Sequence, residues 1–374
     1  MKSNPLRIAA FGGFRSIPPK EGGAGSDKFA FELYPRIVGR GHQLIAYTRR
    51  YPGDISIQSQ TYEGIRLKAF KTVNNAGFDT LVHSFKSTWN IITHNTADHV
   101  HIHSGANSLW AIPLRMAGKK VVVTQFAMDW KRDKWPWYGK LYYLISNFIT
   151  AYFPNKIVFD NVFTKEYFEK KYKKSYVFIP HGSEVPKPSG SSKILHQLDL
   201  CPEEYFLFVG RFIPDKGLHL LIDAYQNLKT NKKLVIVGGS PNPGSYEQKI
   251  RSTKDERIIF PGYIYGEDTN VLMQNAYSYI QPSLIEGLSP VILTVMGLGV
   301  PIICSNIKEN LFITKENATT FESGNSDSLK LAIEHTLNNK DLIISKAKIG
   351  KYDVTDRFNW DKIAEQYIEI LRKL

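Results

Sequence analysis

Residues 281–301 read QPSLIEGLSPVILTVMGLGVP. Tyr279 and Ile280 just before them end an apolar run that suits a buried strand. A loop follows with a single carboxylate, Glu286, beside Gly287. Ser289-Pro290 then has the form of a helix start, with Ser as the cap and Pro at the first helical position. The apolar helix expected over Val291 to Leu298 stops at Gly299, and Pro301 opens a new strand, Pro-Ile-Ile-Cys304. A strand, an acidic loop and a helix whose first N–H groups face that loop can hold a phosphorylated ligand. The same pattern also fits an ordinary strand-to-helix crossover with a surface glutamate.

The second half opens on a strand, Tyr205 to Gly210, and a turn, Arg211-Phe-Ile-Pro-Asp-Lys216-Gly217. Its two cations, five residues apart, can neutralise a diphosphate, Arg as a fork and Lys as a point charge. Strands are expected at Leu234 to Val237, ending in Gly238-Gly239, and at Arg257 to Phe260, with helices between. The first half has the same construction. Leu6 to Phe11 reads as a strand that runs into Gly12-Gly13 and a loop holding Gly22, Gly23 and Gly25, before a helix capped by Ser26 or Asp27. His42 to Tyr47 reads as a strand, and Arg49 to Lys71 as a hairpin region in which YEGIRLKAF alternates with period 2. His99-Val-His-Ile-His103 is a strand whose carboxyl end carries His103, placed there to face a cleft ligand. Strand and helix alternate throughout, which predicts an α/β chain with two doubly wound parallel sheets. The expected domains are 1–180, a Pro/Gly/Ser-rich linker over 181–203, 204–355, and a C-terminal helix over 356–374.

The chain has 374 residues, enough for two domains. Its two cysteines, Cys201 and Cys304, give neither a disulfide framework nor a zinc pattern. No run looks like a signal peptide or reaches the length of a membrane span, so a cytoplasmic chain is expected. The net charge of +13 lies in the first half, which alone carries the surplus of lysine and arginine over acid, while the second half is close to balanced. That half should meet something anionic. Residues 128–143, MDWKRDKWPWYGKLYY, interleave tryptophan and tyrosine with cations. Such a mixture suits the headgroup region of an anionic membrane, and equally an aromatic helix packed in a cleft. Stacking on bases is a third use of it, but no RNA- or DNA-binding motif accompanies the patch, so nucleic acid is not an expected partner.

Gly210-Arg211…Lys216-Gly217, then Gly238-Gly239, then Glu286-Gly287-Leu288-Ser289-Pro290, then Gly299-Val-Pro301, in this order, resemble the family 4 glycosyltransferases. Asp129-Trp130-Lys131-Arg132-Asp-Lys-Trp135 is similar to the rhamnosyltransferase-like branch that makes bacterial surface polysaccharides. The resemblance implies a GT-B fold, two Rossmann-like domains facing across a cleft, with the C-terminal helix over 356–374 crossing back to pack on the first domain. It implies a retaining hexosyltransferase whose substrate is a nucleotide-diphosphate-sugar, with no cofactor. No metal is expected, and no Asp-x-Asp sequence argues for one. Arg211 and Lys216 would grip the donor diphosphate, and Glu286 the sugar hydroxyls. The backbone of Ser289, Pro290, Val291 and Ile292 would bind the distal phosphate and sugar. Gly22 and Gly23 would approach the phosphate from the first domain, and Tyr263 and Ile264 lie where members hold the base. His103, Phe126, Asp129, Trp130, Lys131 and Arg132 would stand on the acceptor side.

Two positions depart from the family pattern. Thr294 stands eight residues after Glu286, where members usually repeat the acid that contacts the ribose hydroxyls. A deoxyribonucleotide donor such as dTDP-rhamnose would suit it, with UDP- or GDP-sugars as the alternatives. Phe126 stands where many members place a histidine near the reacting sugar, and Asp129 is close enough in sequence to compensate. The acceptor expected for the basic, aromatic first half is a lipid-diphosphate-linked saccharide at the inner face of a membrane, with the protein held there peripherally. Two other readings of the same motifs are a non-catalytic nucleotide-sugar-binding subunit of a polysaccharide-assembly complex and a GT-B nucleotide-sugar epimerase.

Overall fold

The computed structural model describes residues 4–19, 25–51, 60–73, 78–126, 137–183, 185–240 and 244–374. The chain divides into two compact units, Met1–Gly182 with Trp360–Leu374, and Ser183–Asn359.

The first unit runs β1 (Arg7–Phe11), α1 (Gly25–Gly39), β2 (Gln43–Arg50), β3 (Thr61–Tyr62), β4 (Ile65–Lys71), α2 (Phe78–His94), β5 (His99–His103), a 3-10 helix (Gly105–Trp110), α3 (Ala111–Met116), β6 (Lys120–Gln125), α4 (Trp137–Tyr152), β7 (Lys156–Phe159), α5 (Val162–Tyr172) and β8 (Val177–Phe178). Its sheet has the order β3-β4-β2-β1-β5-β6-β7-β8. Every pairing is parallel except that of β3 with β4. Part of the expected hairpin region, residues 52–59, lies outside the described residues. Among the described residues of that region, only Thr61–Tyr62 and Ile65–Arg66 pair as a hairpin, while β4 as a whole lies parallel to β2. Glu63 and Gly64 both take positive φ (43° and 77°), the twist a two-residue hairpin turn needs.

The second unit runs α6 (Lys193–Gln197), β9 (Tyr205–Arg211), a 3-10 turn (Pro214–Lys216), α7 (Leu218–Gln226), β10 (Lys233–Gly239), α8 (Ser245–Arg251), β11 (Ile258–Gly262), α9 (Gly266–Gln274), β12 (Ser278–Gln281), α10 (Pro290–Leu298), β13 (Ile302–Ser305), α11 (Lys308–Thr314), β14 (Thr319–Phe321), α12 (Ser326–Asn338) and α13 (Lys340–Arg357). The sheet order is β11-β10-β9-β12-β13-β14, all parallel. Its strands are apolar at successive positions because both faces are covered. Leu207, Val235, Val237, Tyr279, Ile302 and Cys304 enter one core, and Phe206, Phe208, Leu234, Ile236, Ile280 and Ile303 the other. The Pro/Gly/Ser-rich segment read as a linker is not loose over its whole length. Ile194, Leu195 and Leu200 are buried in the core of this unit, which is what an apolar pair on a short helix achieves by packing.

The chain closes with α14 (Trp360–Arg372), which belongs to the first unit and packs on α1. Trp360, Ile363, Ala364, Tyr367, Ile368 and Leu371 recur at helical spacing and are buried with Phe29, Leu33, Tyr34 and Ile37. Gly182 admits this helix, since a Cβ there would lie 2.2 Å from the Trp360 ring.

Candidate active site

In the second sheet the chain builds β9, β10 and β11 in one direction and then returns to place β12 on the other side of β9. The loops that follow β9 and β12 therefore leave the carboxyl ends of adjacent strands at the topological switch point, where open α/β sheets bind ligands. Arg211 to Gly217 is the first of these loops, and Pro282 to Ser289 the second. They are tied together. The backbone N–H of Leu284 donates to the Asp215 carbonyl at 2.8 Å. Gly217 takes φ 67°, and a Cβ there would sit 2.0 Å from the Pro282 carbonyl oxygen, so this contact requires glycine.

The side chains meet as well. Lys216 Nζ donates to Glu286 Oε1 at 2.5 Å, with the two side chains 19% and 8% exposed. The same oxygen accepts from Ser283 Oγ at 2.7 Å and from Gln281 Nε2. Gln281 is itself fixed, because Tyr279 OH donates to its Oε1 at 2.5 Å and its Nε2 also reaches Ser283 Oγ at 2.9 Å. Behind Ser283, Ser305 Oγ donates to its carbonyl at 2.5 Å, and Asn310 Nδ2 donates to Ser305 Oγ at 3.0 Å. Three donors on Oε1 set the plane of the carboxylate and leave Oε2 without a donor among the described residues. Gln281, Ser283, Ser305 and Asn310 are positioning groups that the sequence pattern did not single out. Gln281 and Ser283 lie in the quoted stretch, and their polarity at the end of an apolar strand was the available signal.

Around this centre stand the other expected residues. Ser289 caps α10 with its Oγ facing the Ile292 N–H at 3.4 Å, and Pro290 is the first helical residue. Val291, at the second helical position, keeps an N–H with no intrahelical acceptor. Leu288 and Thr294 are partly buried, and Gly287 is exposed. Arg211 is exposed at the end of β9, and its guanidinium has no partner among the described residues. Gly210 and Gly238 pair across β9 and β10. Gly238 has φ 127°, and a Cβ there would come within 1.9 Å of the Gly210 oxygen. A Cβ on Gly239 would touch the ring of Tyr263 at 3.1 Å. Tyr263 stacks on Tyr265 with centroids 5.9 Å apart. Ile264 is partly buried, and its carbonyl accepts from Thr269 at 2.7 Å.

The first unit places its expected residues differently. Gly22, Gly23, Asp129, Trp130, Lys131 and Arg132 lie outside the described residues. His103 does not face a cleft. It is fully buried at the switch between β1 and β5, edge-on to Phe14 and Phe29 and next to Phe126. Its Nε2 meets Tyr34 OH, which also reaches His101 Nδ1 at 3.0 Å. Burial, followed by the neighbouring His101 and His181, holds the imidazole well below its ordinary pKa. A histidine at a strand end is thus a core group here, because the Gly12–Gly13 turn lies across it: Gly13 N–H donates to its carbonyl at 3.1 Å. Phe126 packs on Phe29 with centroids 5.4 Å apart. A buried ion pair supports the glycine turn. Arg49 donates to Asp79 at 2.7 Å and to the Gly12 carbonyl at 2.5 Å.

Comparison with known proteins gives the family. Residues 23–185 match the profile described as Glycosyltransferase Family 4, and residues 203–339 that of Glycosyl transferases group 1. The chain belongs to the family 4 glycosyltransferases. It is similar to the O-antigen chain mannosyltransferase C of Escherichia coli, 25% identical over 211 residues, or 55% of this chain and 56% of that one. It is also similar to the D-rhamnosyltransferase WbpZ of Pseudomonas aeruginosa, 29% identical over 152 residues and 39% of each chain. The matched parts span about half the length of such curated relatives, or less. Among solved structures, HepE of Anabaena in complex with UDP and glucose superposes with a TM-score of 0.75 at 17% identity, covering 98% of this chain and 99% of that one. The family 4 chain therefore has the GT-B fold, with a Rossmann-like sheet in each unit.

Proposed function

We propose that this chain transfers a sugar, with retention, from a nucleotide-diphosphate-sugar to a saccharide acceptor of a bacterial surface polysaccharide. The observation that carries this reading is the pairing of Lys216 with Glu286 at 2.5 Å where the carboxyl ends of β9 and β12 meet. In this reading Lys216 and Arg211, which has no partner among the described residues, bind the donor diphosphate, and the N-terminus of α10 adds its N–H. Glu286 Oε2 accepts from the sugar hydroxyls. Tyr263 and Ile264 border the base. The bond from the anomeric carbon to the diphosphate oxygen breaks, and negative charge grows on that oxygen beside the two cations. The acceptor hydroxyl forms its new bond on the same face as the sugar becomes oxocarbenium-like, and its proton passes to a phosphate oxygen. No side-chain nucleophile is needed.

The relatives named above act on mannose and rhamnose, and HepE was solved with UDP and glucose. Thr294 in place of a second acid favours a donor without a ribose 2′-hydroxyl, such as dTDP-rhamnose. Calorimetry with UDP, GDP and dTDP tests that choice, and UDP binding as well as dTDP would defeat it. The acceptor we infer is lipid-diphosphate-linked, bound by the basic first half, with the chain held peripherally at the inner membrane face.

The same threonine favours a second reading, a nucleotide-sugar-binding subunit without catalysis. Incubation with a panel of nucleotide-sugars separates the two. Slow release of nucleoside diphosphate, with the sugar's anomeric configuration retained by NMR, supports the transferase. Tight donor binding with no release supports the subunit.

A further inference from the structure

Helix α4 carries no acidic residue, and one side of it is open. Trp137, Tyr138, Leu141, Leu144, Ile145, Phe148 and Tyr152 are all exposed, with Trp137 at 76% and Phe148 at 53%. At 100° per residue these seven fall within an arc of about 120°. Ser146, Asn147, Ile149 and Thr150 point away from that arc and are buried. A run of seven exposed apolar side chains on one helix exceeds the scattered exposure ordinary for a soluble surface. The far end of the stripe is ringed by cations. Lys174 Nζ lies 3.8 Å over the Tyr152 ring, and Lys171 Nζ lies 5.3 Å over Tyr172, which meets Tyr152 edge-on. Lys170 and Lys173 are exposed beside them. Against these stand one exposed acid on α5, Glu166, and Glu169, which is paired with Lys165.

We propose that the α4 stripe is the surface by which this chain lies on an anionic lipid bilayer. The proposal rests on the lipid-linked acceptor inferred above and gives it a docking face. The occupant follows from the chemistry. Tryptophan, tyrosine and leucine together suit the headgroup boundary, and the lysine ring supplies charge complementary to anionic lipid. The helix has 16 residues, and among the described residues no helix is long and apolar enough to cross a membrane, so α4 would lie in the interface plane.

Flotation of the full chain with phosphatidylcholine vesicles, with and without about a third phosphatidylglycerol, tests this. The wild type should float with the anionic vesicles only. Ile145→Glu with Phe148→Glu should weaken binding at least about tenfold, and so should Lys171→Glu with Lys174→Glu. Ile145→Val with Phe148→Leu should keep it. The melting temperature checks that each variant is folded. Flotation of the Ile145→Glu, Phe148→Glu variant like wild type overturns the proposal. So does loss of a dimer in that variant with vesicle binding intact, which would make the occupant a second copy. Flotation requires no nucleotide, so its result is independent of whether the donor site binds one.

Discussion

Lys216 and Glu286, seventy residues apart in the chain, meet at 2.5 Å because the strands that precede them are neighbours in the sheet. In the proposed reading the pair divides the labour of the site: one carboxylate oxygen orients Lys216 beside the diphosphate, and the other accepts the sugar hydroxyls. Glu286→Gln should therefore leave the affinity for a nucleoside diphosphate within about threefold, while weakening a nucleotide-sugar by about tenfold or more. Paired calorimetric titrations of the diphosphate and its sugar conjugate read the difference. An equal loss for both would place Glu286 on the phosphates.

Gln281 acts through Glu286. Tyr279 holds the amide oxygen, which turns the amide nitrogen toward the carboxylate. Gln281→Leu removes that donor from a buried position at similar volume. Turnover should fall about tenfold or more, with diphosphate affinity unchanged. Gln281→Glu should be worse than Gln281→Leu, since it sets two carboxylates together. A steady-state comparison of kcat and KM checks both.

Gly238 has no room for a side chain. Gly238→Ala forces a strained φ and a Cβ into the Gly210 carbonyl, between two central strands. The expected loss is at least about 3 kcal/mol in urea denaturation. A loss under about 1 kcal/mol would show that β9 and β10 can separate there.

Buried histidines make stability depend on pH. Burial holds His83 and His101 down at about 3 and His103 well below 6.5. Their unfolded forms take up protons near 6.5 while the folded forms stay neutral. Their contribution is full above 6.5 and is lost as pH falls from there toward 3. Each can cost up to about 1.4 kcal/mol per pH unit in that window. The Asp79 carboxyl is lowered from 3.8 despite its burial, by Arg49 and by hydrogen bonds, so its own loss comes at still lower pH. The urea midpoint should fall between pH 7 and pH 5. A flat profile there would contradict neutral burial of these imidazoles.

Much of the fold was legible in the sequence for a simple reason. Parallel strands covered on both faces, such as Phe206 to Phe208 or Leu234 to Val237, are apolar without interruption and bounded by glycine. The start and stop of α10 were legible because Ser289, Pro290 and Gly299 have local roles that tertiary packing did not override. His103 was misplaced because period and position locate a side chain at a strand end but do not show what lies across it. Over Ile65 to Lys71 the hairpin reading does not hold beyond Arg66, because period 2 is the same for parallel and antiparallel neighbours. In the site, the pair Lys216 and Glu286 was legible as charged residues in two Gly-bounded loops. Its support was not, since Gln281, Ser283, Ser305 and Asn310 come together only through strand order.

In the proposed function the loops after β9 and β12 hold a nucleoside diphosphate. Calorimetric titration of UDP, GDP and dTDP into the wild type and into Arg211→Ala and Lys216→Ala tests it most directly. At least one of the three should bind the wild type, and each substitution should weaken it about tenfold or more. Binding of none of them, or binding indifferent to both substitutions, would contradict it.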